Sequence, residues 1–131
     1  MPARHFQPIP DIPIGDACRI YGLTPRALRF YGDRGLVEAR RNGLNHRVYD
    51  ALAQRQLGWI AQLRQVQLPL PDIRQVLAAE AADGRGRDVA IERLEARRRR
   101  LGEKVRAVEE LMQAFSSGTE QAGAPRLQSA A

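Results

Sequence analysis

The chain has 131 residues, enough for one domain with an appendage or for two very small units. Its 21 Lys and Arg residues outnumber 15 Asp and Glu residues, and the net charge of +6 favours a polyanionic partner, first nucleic acid and second an anionic membrane. The single cysteine, Cys18, excludes an intrachain disulfide and a cysteine cluster for a metal. With two histidines and no glycine-rich phosphate loop, the chain has little material for catalysis, and we expect no enzyme.

The sequence also bears on localisation. No stretch approaches the roughly 18 apolar residues of a membrane span, and four prolines among the first 13 residues interrupt any signal-peptide core. We therefore expect a cytoplasmic protein that has no membrane partner, bound metal or cofactor.

The N-terminal third predicts two short helices after a disordered arm at residues 1–11. Apolar residues recur from Ile14 to Tyr21 at helical spacing, and Gly22 can end that helix with a positive φ. Thr24 is a suitable N-cap for the next helix, and Pro25 suits its first position. Two helices joined by so tight a turn indicate a helix-turn-helix.

The second helix separates two kinds of side chain. Leu28 and Tyr31 share its inner side, whereas Arg26 and Arg29 share an outer face, and Gly35 can close the helix. Because an α-helix fits the major groove of B-DNA and arginine binds guanine or phosphate in a bidentate manner, this outer face is a candidate recognition surface.

The next segment predicts a β-wing. Leu36-Val37 and Val48-Tyr49 read as two brief strands around the basic segment Glu38–Arg47, with Gly43 or Asn45 in the turn. Its length equally permits a plain loop. Seven arginines against two acids between residues 19 and 47 make this region strongly basic. Charge alone would favour an ordinary solvated face, and the placement of Arg26 and Arg29 on one helix face is what favours DNA binding.

Two further helices complete a predicted domain over residues 12–82. Asp50 can cap a helix that runs to about Gln67, with Trp59 expected in the core, and Pro69 and Pro71 begin a shorter one. Residues 83–87 are predicted to form a linker because they combine Asp, Gly and Arg without apolar periodicity.

Residues 88–115 predict one long helix of roughly 42 Å at about 1.5 Å per residue. Its apolar positions step alternately by three and four, which is typical of a coiled-coil seam with one polar member. The predicted seam is Ile91, Leu94, Arg98, Leu101, Val105, Val108, Met112 and Phe115. Residues 116–131 are rich in Ser, Gly, Ala and Gln, and we expect a disordered tail.

A helix of this length calls for a second chain as its partner, and the charges favour an antiparallel pair. If two copies cross near residue 103, Arg97 of one lies close to Glu109 of the other, whereas a parallel pair would place arginines beside their own copies. Each exposed contact contributes only about 0.2–1 kcal/mol, so the charges bias the orientation without deciding it.

The linked motifs resemble the MerR-type (mercury-resistance-type) transcription regulators over residues 12–80. The resemblance rests on segments in matching order and spacing: Ile14-Gly15-Asp16-Ala17, Gly22-Leu23-Thr24, Arg26-Ala27-Leu28-Arg29-Phe30-Tyr31, Gly35-Leu36-Val37, Arg47-Val48-Tyr49 and Leu68-Pro69-Leu70-Pro71-Asp72-Ile73. Two positions depart from the family pattern. Asn45-His46 stands where Gly-Tyr is usual, and Gln67 stands where glycine is usual.

The resemblance implies a mostly α-helical chain, in which a winged helix-turn-helix DNA-binding domain precedes a long dimerisation helix in an antiparallel coiled coil. It implies groove and backbone contacts from the recognition helix, a phosphate contact from the Tyr31 hydroxyl, and backbone contacts from the wing. For His46, a DNA contact and a space-filling role both stay open. The candidate DNA-binding residues are Thr24, Pro25, Arg26, Arg29, Tyr31, Arg41, His46 and Arg47.

The resemblance further implies a bacterial, nucleoid-associated homodimer that binds an inverted repeat of double-stranded DNA at promoters and distorts it for RNA polymerase. Metal and redox sensors of the family carry cysteines at the start of the dimer helix or just after it, and this chain has none there; only 16 residues follow Phe115. We therefore expect control by the protein's abundance, a regulatory protein or a small ligand at the dimer. An architectural or excisionase-like DNA-bending protein and a coiled-coil protein-interaction module are the alternatives.

Overall fold

The computed structural model describes residues 9–119, which form five helices and a small sheet. The elements are β1 (Ile12–Pro13), α1 (Ile14–Tyr21), α2 (Pro25–Asp33), β2 (Arg40–Arg41), β3 (Arg47–Tyr49), α3 (Ala51–Gln65), α4 (Leu70–Asp83) and α5 (Gly86–Ser117). The chain divides into two compact units, and the second begins at Ile91. Most of the predicted disordered arm and tail lies outside the described residues. The mostly helical, winged helix-turn-helix fold is confirmed.

The predicted helix ends of the helix-turn-helix are confirmed in atomic detail. The Thr24 hydroxyl accepts a hydrogen bond from the backbone N–H of Ala27 at 3.0 Å, which satisfies one of the unpaired amides at the start of α2. Gly22 follows α1 with a φ of 65°, a conformation that glycine adopts without steric cost. The turn between α1 and α2 is thereby fixed by local chemistry.

The first predicted wing strand, Leu36-Val37, is wrong, because these residues are buried outside any strand. The backbone N–H of Leu36 donates to the carbonyl of Tyr31 at 2.9 Å, and Gly35 has a φ of 71°. This pairing closes the C-terminus of α2 and turns the two apolar side chains into the core. Within the wing, the strand that pairs with β3 is β2, which begins four residues after Leu36.

The sheet has three antiparallel strands in the order β1–β3–β2. β1 was not predicted, because its pairing of Ile12 with Tyr49 joins residues far apart in the sequence. Pro13 is tolerated in β1 because it lies on an edge strand, where a missing N–H disturbs no central ladder. The sheet joins the wing to the segment that enters α1.

The turn between α3 and α4 depends on an unusual backbone conformation. Gln67 has a φ of 56°, and α3 ends at Gln65, slightly before the predicted end near residue 67. The Arg64 guanidinium donates to the carbonyl of Leu68 at 3.0 Å, which ties the end of α3 to the following turn. Gln67 therefore takes the left-handed conformation that glycine, the residue usual here according to the resemblance, adopts without steric cost.

The junction of α4 and α5 is shorter than the predicted linker at residues 83–87. Gly84 ends α4 with a φ of 73°, and α5 begins only two residues later, at Gly86. At its other end, α5 continues to Ser117 and so includes the first two residues of the predicted tail. Both differences lengthen the final helix relative to the sequence-based expectation.

The core of the first unit lies where α1–α4 and the sheet meet, and its members are apolar side chains. Trp59, which we expected in this core, is half-buried at its edge, and so is Cys18. The largest fully buried side chains are Leu28, Tyr49, Leu57, Ile60, Leu68, Ile73 and Val76. Because α2 and β3 each contribute a side chain to this set, the recognition helix and the wing are anchored to one core.

Candidate nucleic-acid interface

The outer face of α2 presents the two arginines that the helical spacing selects. Arg26 and Arg29 are exposed, whereas Leu28 and Tyr31 on the opposite side are 1% and 7% exposed. The Thr24 cap fixes the start of the helix that carries them, so their Cα positions are set by packing and capping together. Two guanidinium groups thus project from a rigid helix, as bidentate binding to base edges or phosphates requires.

An aromatic ring that the sequence reasoning did not select lies on the same face. Phe30 is 39% exposed, and the Arg34 guanidinium carbon lies 4.9 Å from the centroid of its ring. Because Phe30 lies four residues after Arg26, helical periodicity could have placed both residues on one face from the sequence alone. The outer face of α2 therefore combines positive charge with an apolar surface that can contact a thymine methyl group.

The wing is a hairpin whose turn is held by one asparagine side chain. The Asn42 amide oxygen accepts hydrogen bonds from the backbone N–H groups of Leu44 and His46, both at 3.0 Å. Asn45, rather than Gly43, takes the positive φ, at 62°. Asparagine often organises turns through its own side chain, so Asn42 could have been selected from the sequence.

The arginines of this region differ in whether a carboxylate already neutralises them. Arg40 pairs with Asp11 at 3.1 Å and with Asp50 at 3.6 Å, and Arg19 pairs with its helix neighbour Asp16. Both arginines therefore contribute less positive charge to the outer surface than the sequence count suggests. Within residues 9–119, no ion pair with a carboxylate engages the following arginines: Arg26, Arg29, Arg41 and Arg47.

The buried phenol of Tyr49 is influenced by charged residues of both α2 and the wing. Burial raises the pKa of this phenol, while the positive charges of Arg47 and Arg29 act in the opposite direction. Tyr49 is 1% exposed, so its ring belongs to the core on which the wing is anchored. An arginine of the recognition helix and one of the wing therefore lie within electrostatic reach of the same hydroxyl group.

A cleft of about 230 Å³ lies between α2 and the wing. Arg41 and Arg47 line it together with the acidic residues Asp33 and Glu38. The acidic groups disfavour a phosphate inside the cleft, whereas the two exposed outer faces carry the unpaired positive charge. A DNA backbone is therefore expected to run across the outer edges of α2 and the wing.

The other predicted DNA-binding residues differ in exposure. Thr24, Pro25 and His46 are exposed, and Arg47 is half-buried on β3. Arg41 lies opposite Arg47 in the β2–β3 register and donates from its guanidinium to the carbonyl of Asn45 at 3.0 Å. The phosphate contact of Tyr31 and the role of His46 stay predictions.

The second unit carries an apolar stripe along α5. Seven of its large apolar side chains are 40–66% exposed, which is unusual for a soluble helix unless a partner covers it. One of them, Leu111, was not included in the predicted seam, although it lies three residues after Val108. The exposed members are Ile91, Leu101, Val105, Val108, Leu111, Met112 and Phe115.

Residues 9–119 hold neither a candidate membrane span nor a candidate metal cluster. None of the described helices is both long enough and apolar enough to cross a bilayer. In the same residues, His, Cys, Asp and Glu side chains do not gather in groups of three or more that could hold a metal ion.

Comparisons with known proteins match this geometry. Residues 12–80 match the family model described as MerR HTH family regulatory protein. The chain is 30% identical over 108 residues to the HTH-type transcriptional regulator HmrR of Rhizobium leguminosarum bv. viciae, an alignment that covers 77% of this chain and 84% of that relative.

Solved structures show the same fold. A MerR family regulator from Bacillus cereus superposes with a TM-score of 0.66 at 17% identity, covering 86% of this chain and 82% of that one. HiNmlR, described as a MerR family regulator lacking the sensor domain and bound to promoter DNA, gives a TM-score of 0.57 at 15% identity, covering 86% and 95%. The chain therefore belongs to the MerR family of helix-turn-helix regulatory proteins, a family of DNA-binding transcriptional regulators.

Proposed function

We propose that this protein is a homodimeric, sequence-specific regulator that binds an inverted repeat in promoters and distorts the DNA between its half-sites. The observation that carries the proposal is the exposed apolar seam of α5, present in the same chain as an arginine-bearing recognition helix. A seam of this kind is stabilised by pairing with a second copy, and pairing presents two recognition helices together. Neither surface alone would require a palindromic site.

The seam positions fit an antiparallel pair that crosses near residue 103. In that register Ile91 lies opposite Phe115 of the partner copy, and Leu94 lies opposite its Met112. Arg97 comes close to the partner copy's Glu109, so a positive charge meets a negative one. Every seam position then faces another seam position, so the seam is compatible with this register, and the Arg97–Glu109 contact is what favours the antiparallel arrangement over a parallel one.

The DNA-binding surface is assigned to the outer face of α2 and to the wing. Arg26 and Arg29 contact base edges and phosphates in the major groove, while Arg41 and Arg47 contact the flanking backbone. HiNmlR, a MerR family regulator that lacks the sensor domain, is bound to promoter DNA, and the fold it shares with this chain supports the same role here. We propose control by abundance, by a regulatory protein or by a ligand held on the dimer.

The proposal is tested by mapping bound sites across the genome and measuring affinity for the recovered duplex against salt. We expect inverted repeats within promoter spacers, and log K falling with log salt at a slope of about −5 to −8, for roughly 6–9 neutralised phosphates per dimer. Sites clustered at attachment or origin regions would instead favour an architectural DNA-bending protein. Weak binding with little salt dependence would favour a coiled-coil module that docks on an acidic protein.

A further inference from the structure

The tip of the wing carries an apolar side chain with almost no cover. Leu44 is 75% exposed, more than any other large apolar residue in the described part of the chain. The α5 residues with comparable exposure belong to a long stripe, whereas Leu44 stands alone on a turn between Gly43 and Asn45. Burying a leucine in a partner surface is favourable, so a surface that meets this turn gains free energy by covering Leu44.

The turn holds Leu44 in a defined position. Asn42 uses its side-chain oxygen to accept from the Leu44 N–H at 3.0 Å, and its own carbonyl accepts from the Asn45 N–H at 2.9 Å. On the strand side, the Arg41 guanidinium bonds the Asn45 carbonyl at 3.0 Å. These bonds tie down both flanks of the leucine, so little conformational entropy is lost when the tip meets a surface.

The chemistry around the tip identifies the kind of surface. The leucine is flanked along the hairpin by residues that can bind a polyanion, Arg41, His46 and Arg47, and none of the three has a carboxylate partner within the described residues. The phosphates of a duplex give an apolar side chain no favourable contact. The deoxyribose walls of the minor groove do, and apolar side chains of DNA-binding proteins enter that groove.

We infer that Leu44 enters the DNA minor groove flanking the major groove that α2 occupies, while the wing arginines hold the two adjoining phosphate backbones. This inference rests on the proposed function and adds to it a contact that depends on groove shape and on the guanine amino group, which projects into the minor groove. Leu44 thereby contributes to the choice of base pairs outside the recognition helix's footprint.

The first test compares Leu44→Ala with Leu52→Ala, a matched loss from an exposed leucine on α3. Full-length proteins are titrated with a duplex that the wild type has selected from a random pool. We expect Leu44→Ala to weaken binding about fivefold with the salt slope unchanged, because the lost contact is apolar. Leu52→Ala should bind as the wild type does. Wild-type affinity for Leu44→Ala, or a changed salt slope, would overturn the inference.

The second test changes the minor groove alone. Inosine replaces guanine, or 2,6-diaminopurine replaces adenine, one position at a time, which removes or adds one minor-groove amino group and keeps the major-groove pattern. At positions that flank the recognition helix's footprint, we expect these base changes to alter the affinity of the wild type but not that of Leu44→Ala. Equal responses of the two proteins at every position would refute the contact and leave the proposed function intact. If the wild type selects no duplex, the proposed function itself fails.

Discussion

The carboxylate of Glu80 in α4 accepts a hydrogen bond from the backbone N–H of Gly86, the first residue of α5, at 3.0 Å. The side chain of one helix thus caps the next across a junction of two residues. A Cβ atom on Gly86 would lie 2.5 Å from the Glu80 carboxylate oxygen, 2.8 Å from its Cβ and 3.1 Å from the Trp59 ring. The absence of a side chain at Gly86 is what permits this close approach.

Gly86→Ala is therefore expected to lower the free energy of unfolding by about 1–3 kcal/mol, because α4 and α5 must separate to admit the methyl group. Gly58→Ala is the matched control. Gly58 lies inside α3, and a Cβ atom there would be 3.7 Å from the Tyr21 ring, an ordinary van der Waals distance. That control should raise stability by about 0.5–1 kcal/mol. Chemical denaturation measures both. A Gly86→Ala protein as stable as Gly58→Ala would show that the junction is not tight.

Gln67 has a left-handed backbone conformation, with a φ of 56°. This conformation is strained for a residue with a Cβ atom, which comes too close to the following carbonyl oxygen. We expect Gln67→Gly to raise the free energy of unfolding by about 0.5–1 kcal/mol, the strain relieved exceeding the added entropy of the unfolded chain. Gln62→Gly, in the regular part of α3, should lower it by a similar amount. Thermal unfolding of the two variants compares them, and a loss of stability in Gln67→Gly would contradict the strain.

Arg29→Ala tests the recognition helix. Removing a bidentate guanidinium contact should weaken binding to the selected duplex by about 1–3 kcal/mol and relax the base preference at one position of each half-site. Arg55→Ala removes an exposed arginine from α3 and should leave the base preference unchanged. The readout is a base-substitution scan by fluorescence anisotropy. A uniform loss across all sequences would assign Arg29 to the phosphate backbone instead.

Leu101→Asp tests the seam of α5. A buried, unpaired charge in a coiled-coil core is costly, so we expect this variant to be monomeric and to lose operator affinity while its first unit stays folded. Gln113→Asp places the same side chain on an exposed position outside the seam and should remain dimeric. Light scattering distinguishes the two. A dimeric, DNA-binding Leu101→Asp protein would show that the dimer uses another surface.

Local chemistry explains which parts of the fold could be predicted. The caps at Thr24 and Asp50 involve residues three apart, and the structure has both bonds. The apolar pair Leu36-Val37 suits a strand and a buried core equally well. Only the hydrogen bond that closes α2 decides between the two, and the sequence does not show it. β1 depends on pairing with β3, a non-local contact that no local pattern indicates.

The same distinction applies to the candidate interface. Helical periodicity was sufficient to place Arg26 and Arg29 on one exposed face, because the period depends on neighbouring residues alone. No local pattern shows that Arg40 is neutralised and Arg41 is not. Arg40 pairs with Asp11, which lies 29 residues earlier and is brought close because β1, which follows it, joins the sheet. Counting charges along the sequence therefore overestimates the positive charge that the surface presents.

The central claim is that two copies join through α5 and present two recognition helices to one palindrome. Sedimentation equilibrium of the full-length protein, alone and with the selected duplex, tests it most directly. We predict twice the mass of one chain in dilute buffer, and two chains on each inverted repeat. A single chain in free solution, or one chain bound to a lone half-site with full affinity, would contradict it.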